Sequence, residues 1–267
     1  MLKSVVVGAV VVYLGLGAGL FALQRKMIYV PDRSTPERAE FGAEDMAEVS
    51  YETADGLTLR AWYKAPARDG FPVIVFFHGN AGHIGHRAGK VRPFLDAGYG
   101  VFLAGYRGYG GNDGAPTEAG LYADARAALD AVAAAQDGPP VLYGESLGSA
   151  VAVQMATERP ARAVILEAPM SSAVDVARQR FPIYPVALLI KDRFDSAAKI
   201  GAVTAPLFVV HGERDTIVSV SLGRRLVAAA PAGTVAHFID EAGHNDLYQF
   251  GAADLILDFL NGLPAGG

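Results

Sequence analysis

The chain has 267 residues, 51% hydrophobic and 19% charged, with mean hydropathy +0.24, which excludes a disordered chain and allows one large α/β domain. Its 23 basic and 28 acidic residues give a net charge of −5 with no basic stripe, so nucleic acid is not an expected partner. It has no cysteine, which excludes disulfides, zinc–thiolate and iron–sulfur sites and a cysteine nucleophile.

The first element is a membrane candidate. Val5 to Leu23 carries no charge and is long enough to span a hydrocarbon core of about 30 Å. Lys3 flanks one end, Arg25 and Lys26 the other, and Tyr29 is expected near the interface. An uncleaved single-pass anchor over residues 1–30 is expected; a cleavable signal peptide has a shorter apolar region and a small-residue cleavage site. Arg25, Lys26 and Arg33 against Lys3 lean towards a cytoplasmic catalytic domain by a margin too small to fix the side. Gly15 and Gly19 form a G-x-x-x-G pair, the spacing that lets membrane helices approach. Ordinary small residues are the plainer reading, so at most weak homo-association is expected.

Residues 31–46 read as a polar linker, and residues 47–264 as one α/β domain. Glu48–Thr53 and Leu57–Tyr63 alternate around Ala54-Asp55-Gly56, a hairpin signal. Six short apolar runs of the buried parallel type follow: Val73–Phe77, Val101–Ala104, Val141–Tyr143, Ala163–Leu166, Leu207–Val210 and Val235–Ile239. Helical patterns separate or follow them at His86–Ala97, Glu118–Ala135, Leu147–Arg159, Ser219–Ala230 and Ala252–Leu260. This alternation predicts a mostly parallel eight-stranded sheet with helices on both faces. Ser171–Ile200, interrupted by Pro182 and Pro185, is longer than a crossover needs and reads as a small lid above the strand ends.

Strand Val141–Tyr143 runs into Gly144-Glu145-Ser146-Leu147-Gly148 and then a helix. A G-x-S-x-G motif in strand–turn–helix context holds its serine on a strained, exposed elbow, making Ser146 the candidate nucleophile. The Leu147 N–H, at a helix N-terminus, is placed to receive an oxyanion. A serine needs an imidazole, and the imidazole an orienting carboxylate, in the chain order Ser, Asp/Glu, His on loops after later strands. Asp215, in His211-Gly212-Glu213-Arg214-Asp215, and His244, in Asp240-Glu241-Ala242-Gly243-His244, fall there. Glu213 is the nearest rival acid, while Asp192 and Asp195 lie in the lid. His78 and His211 read as structural residues at strand ends, and His237 lies within a strand. His83-x-x-His86 has metal-ligand spacing but no evident third ligand.

These pieces, with Gln24–Pro31 after the span, His78-Gly79-Asn80-Ala81-Gly82 and Tyr106-Arg107-Gly108-Tyr109-Gly110, resemble the α/β-hydrolase superfamily. Within it the chain resembles the membrane-anchored Bem46-like group and its serine aminopeptidase-like relatives. The resemblance implies an α/β-hydrolase fold and a second oxyanion N–H from Asn80, beside that of Leu147. Gly105 stands where the family often has Asp, and Asn112 where Ser is usual.

The expectation is a membrane-anchored serine hydrolase that needs no cofactor and no metal. It would cleave a small-molecule ester or thioester through Ser146, His244 and Asp215. A serine peptidase on the same fold and a non-catalytic membrane-tethered scaffold are the alternatives. The lid's Phe181, Ile183, Tyr184, Val186, Leu188, Leu189, Ile190 and Phe194 are read either as packing or as an acyl-chain surface. Thirty lid residues suggest an optimum at short to medium chains.

Overall fold

The computed structural model describes residues 2–68 and 70–263, so the expected domain end at residue 264 lies outside the described residues. Each apolar run expected as a strand forms one. They are β1 (Ala47–Glu52), β2 (Thr58–Lys64), β3 (Val73–Phe77), β4 (Gly100–Ala104), β5 (Val141–Glu145), β6 (Ala163–Glu167), β7 (Leu207–Gly212) and β8 (Val235–Ile239). They lie side by side in the order β8-β7-β6-β5-β3-β4-β2-β1. Only β2 runs against its neighbours, as the hairpin signal requires; the other pairings are parallel.

The helices are α1 (Leu2–Ile28), α2 (Ala88–Asp96), α3 (Glu118–Ala135), α4 (Leu147–Glu158), α5 (Ala173–Arg180), α6 (Val186–Leu189), α7 (Val220–Ala229) and α8 (Ala252–Asn261). The continuous apolar strands β3 to β7 are buried on both faces because alternate side chains feed opposite layers. Val235–Ile239, expected as a buried strand, is instead the half-buried edge strand β8, with a neighbour on one side only. Val73, Val75 and Phe77 pack with residues of α3, α4 and α7, such as Leu121, Val151 and Leu226. Ile74 and Phe76 join Val91 and Phe94 of α2 and Ile256 of α8 on the other face.

Two expectations need correction. Residues 31–46 are not a free linker: Val30 and Pro31 pair with Ala81 and Gly82, and a 3₁₀ turn spans Arg38–Phe41. Ala43 and Met46 are fully buried in the layer that holds α2, so this segment contributes to the domain core. Tyr29 does not stand at an interface; it is buried in the other layer, its ring edge-on to Phe194. The alternation of apolar and polar residues expected of an ordered segment is absent there, so no local pattern announces either.

Candidate active site

The sharp turn between β5 and α4 holds Ser146 at φ 51°, ψ −113°, a conformation that costs a non-glycine residue of order 1–3 kcal/mol. The flanking glycines are a steric requirement. A Cβ at Gly144 would lie 2.5 Å from the Gly148 carbonyl oxygen and from Ser149 Cα, and one at Gly148 would lie 1.9 Å from the Phe77 carbonyl oxygen. The Ser146 N–H donates to the Glu167 carbonyl at 2.8 Å, tying the elbow to β6.

Three residues far apart in the chain meet here. Ser146 Oγ lies 3.0 Å from His244 Nε2, and His244 Nδ1 lies 2.6 Å from Asp215 Oδ2. The turn after β7 aims Asp215 by giving its Oδ1 two backbone donors, the N–H groups of Ile217 and Val218, each at 2.8 Å. Its Oδ2 is shared by His211 Nε2 at 3.0 Å. Burial alone would raise the Asp215 carboxyl. Hydrogen bonds from His211 and His244, with the His244 charge and the Val218 N–H, outweigh it and hold the group below the usual carboxylate range. The carboxylate therefore stays ionised beside the imidazole, as an acid that must orient and stabilise an imidazolium has to.

Asn80 and Leu147 line the cavity above Ser146. Asn80 is clamped from three sides: its side chain donates to the Ile28 carbonyl at 2.8 Å, and its own carbonyl accepts from Val30 N–H and Tyr109 O–H, both at 2.9 Å. The end of α1 thus helps to hold the loop that carries this backbone N–H. Leu147 is the first residue of α4, so its N–H has no partner within the helix.

Sequence reasoning missed the ionic support beneath the elbow. Glu145 accepts from Arg87 Nε and Lys90 Nζ, each at 2.8 Å, and from the Gly79 N–H at 3.2 Å. Lys90 also reaches Glu167 at 2.6 Å, and Arg87 donates to the Ala81 carbonyl at 2.8 Å. Burial would raise the Glu145 carboxyl, but Lys90 and Arg87 pull it well below the carboxylate range. The available signal was a charged residue at the variable position of G-x-S-x-G, where a buried turn tolerates charge only if it is paired.

The remaining candidates sort by geometry. Glu213 pairs with Arg224 on the surface, Asp192 pairs with Arg25 at 2.8 Å, and Asp195 accepts from the Ala198 N–H, so none of them reaches His244. His78 is buried between Tyr106 and Tyr109, and His237 lies against Phe208. Beside His83 and His86 the structure does bring a third group, Asp32, with candidate ligand atoms within 4.8 Å of one another. The hydrogen bonds favour a cap over a metal site. His83 Nδ1 accepts the Gly85 N–H and His86 Nδ1 accepts the His83 N–H, each at 3.2 Å, so in the neutral rings Nε2 carries the proton. The two departures from the family pattern lie side by side. A Cβ at Gly105 would strike the Arg60 carbonyl oxygen, and Asn112 occupies the adjacent space, accepting from Arg60 N–H at 3.0 Å.

A cavity of about 480 Å³ opens above Ser146. Its walls come from the lid (Val176 and Tyr184 among them), from Ile217 and Val218, and from α1 (Leu20, Phe21). Among the described lining residues the only charged side chain is that of Arg180.

The comparisons agree with this architecture. Residues 71–197 match the serine aminopeptidase S33 family. An uncharacterized Mycobacterium tuberculosis protein, Rv2307c, is 37% identical over 250 residues, covering 91% of this chain and 89% of that protein. Alpha/beta hydrolase domain-containing protein 17C of Xenopus tropicalis is 33% identical over 178 residues, 65% of this chain and 56% of that one. Among solved structures, the Pyrococcus furiosus esterase Pf2001 superposes with TM-score 0.69 at 18% identity, over 90% of this chain and 99% of that one, a likeness of fold alone. With its mostly parallel sheet, its elbow serine, its serine aminopeptidase S33 match and its alpha/beta hydrolase domain-containing relative, the chain belongs to the α/β-hydrolase superfamily.

Proposed function

We propose that the protein is a membrane-anchored serine hydrolase that cleaves a carboxylic ester or thioester through an acyl-enzyme. The observation that carries this reading is the continuous hydrogen-bonded path Ser146 Oγ–His244–Asp215, 3.0 and 2.6 Å at its two links, at the floor of an apolar cavity. His244 Nε2 takes the hydroxyl proton as Ser146 Oγ attacks the carbonyl carbon, and Asp215 stabilises the imidazolium. The Asn80 and Leu147 N–H groups receive the oxyanion. The carbon–oxygen or carbon–sulfur bond breaks with the proton passing from His244 to the leaving group. Water, deprotonated by His244, then attacks the acyl-enzyme and releases the acid and free Ser146.

The cavity lining favours this reading over the aminopeptidase alternative. A site for a peptide α-ammonium needs a carboxylate near the scissile bond, and no Asp or Glu is among the described lining residues. The anchor is supported by α1, whose 27 residues are exposed along most of its length.

The test is labelling with a fluorophosphonate probe and hydrolysis of acyl esters by wild type and Ser146→Ala. Labelling and turnover lost together in the variant support the reading; turnover retained by Ser146→Ala would overturn it. Aminoacyl amides preferred over every ester would move the protein to the peptidase class. Retention in the membrane fraction after a carbonate wash supports the anchor, and a processed soluble form starting near residue 20 would identify a signal peptide instead.

A further inference from the structure

α1 does not stand clear of the domain. Its half-buried positions, Gly17, Leu20, Gln24 and Ile28, recur every three or four residues and so form one stripe, and all four line the cavity. The lid docks on this side of the helix. Tyr13 and Tyr184 stack with ring centroids 4.7 Å apart, Tyr13 O–H donates to the Ile183 carbonyl at 2.9 Å, and Lys191 N–H donates to Gln24 Oε1 at 2.7 Å. At Gly17 the two pack closely, since a Cβ there would sit 3.0 Å from the Tyr184 ring. Gly15 and Gly19, by contrast, have open space around them.

Helix geometry gives this contact a consequence. Crossing a core of about 30 Å takes about 20 residues at 1.5 Å each. The uncharged run Val5–Leu23 matches that length, and the docked positions Tyr13, Gly17 and Leu20 fall inside it. A helix that spans must therefore carry the docked part of the lid into the lipid. The lid surface is suited to it: Ile183 is 71% exposed and Leu188 85% exposed.

We infer that the site is entered sideways from the bilayer, through the seam between α1 and the lid, and that it takes the acyl chain of a single-chain ester or thioester dissolved in the membrane. This rests on the serine-hydrolase reading of Ser146 and deepens it. α1 is then a wall of the acyl site as well as an anchor. Lid residues Ile183 and Leu188 sit in hydrocarbon. The cavity, about 480 Å³, runs from Ser146 to Gly17 and Leu20 of the seam and leaves room there for an acyl chain.

Two measurements test it, both on the full-length chain in phosphatidylcholine vesicles. First, kcat/KM for p-nitrophenyl decanoate relative to acetate is compared in wild type, Gly17→Phe and Leu20→Trp. Narrowing the seam should lower the decanoate-to-acetate ratio at least tenfold. A ratio kept within twofold, whether overall activity holds or falls, overturns the route. Fluorophosphonate labelling of Ser146 in each variant reports that the fold is intact. Second, the absence of native cysteine lets one label report one position. A fluorophore on Leu188→Cys should be quenched more by doxyl groups on the lipid chains than by aqueous iodide, with the reverse for Asp137→Cys on the far side. Stronger iodide quenching at residue 188 overturns the immersion of the lid. Ser146→Ala run in parallel keeps the two readings apart. Acetate turnover retained there sinks the nucleophile assignment, while the quenching still decides the depth of the lid.

Discussion

The elbow and the lid face each other across one cavity and are built on opposite principles. Around Ser146 every neighbour is fixed: glycine contacts leave no room for a methyl group, backbone N–H groups hold Asp215, and Glu145 is gripped by two cations. The lid is two short helices, α5 and α6, joined by a Pro-bounded turn, with Leu188 almost fully exposed. Bond-making needs donors and acceptors placed to within a fraction of an ångström, which strands and steric contacts provide. Admitting an apolar chain needs only a surface that wets with hydrocarbon. On the proposed reading chemistry and specificity fall to regions of very different burial, and substitutions in the two should fail in different ways.

The sharpest break of this comparison is at the hydrogen-bonded path. Ser146→Ala or His244→Ala should lower kcat/KM by ~10³-fold or more with no loss of thermal stability, because each removes a reacting group and little packing. Asp215→Asn should be comparably severe, whereas Glu213→Gln, whose parent pairs with Arg224 on the surface, should stay near wild type. Ester-hydrolysis kinetics decide it, and the opposite ranking of the two acids would reassign the orienting carboxylate.

Next in size is the ionic support. Glu145→Gln leaves Lys90 and Arg87 facing a neutral group in a mostly buried site. It should destabilise the domain by about 3 kcal/mol, a fall in Tm of roughly 6–12 °C. A Tm unchanged within error, read by calorimetry, would mean that the elbow does not depend on this network.

Acid sensitivity comes third. Burial pushes the His78 imidazole down to about 3 from an ordinary 6.5. The unfolded chain therefore binds the proton first, and stability present above pH 6.5 is lost as pH falls from about 6.5 towards about 3. The slope from this one group is up to ~1.4 kcal/mol per pH unit. His78→Gln should flatten the urea-denaturation profile between about pH 6.5 and 4.5, above the range where the carboxylates held low at Asp215 and Glu145 begin to protonate in the unfolded chain. An unchanged slope there would overturn the assignment to His78.

The smallest stability effect belongs to the lid. Leu188→Ser should change stability by less than ~0.5 kcal/mol in detergent, as an exposed position does. A Tm fall of several degrees would place the lid in the cooperative core and erase the contrast with the elbow.

The sequence by itself determined the strands, the helices that pack on them and the three residues that meet at the elbow. Those signals are local: period-2 and period-3.6 apolar patterns, a Gly-x-Ser-x-Gly turn, and an acid and a histidine each just past a strand end. Ser146 and His244 are 98 residues apart, yet each was legible because its own strand and turn place it at one end of the sheet. What only the tertiary structure decided is what meets across elements with no shared pattern. Tyr13 reaches the lid 170 residues away, Lys90 of α2 and Arg87 of the turn before it grip Glu145, Tyr29 enters the core from the flank of the anchor, and Met46 enters it from a stretch that reads as linker. The reason is physical. A backbone conformation is selected by a few neighbouring residues, whereas a contact between distant side chains is set by the packing of the whole domain, and no single segment carries its partner's address.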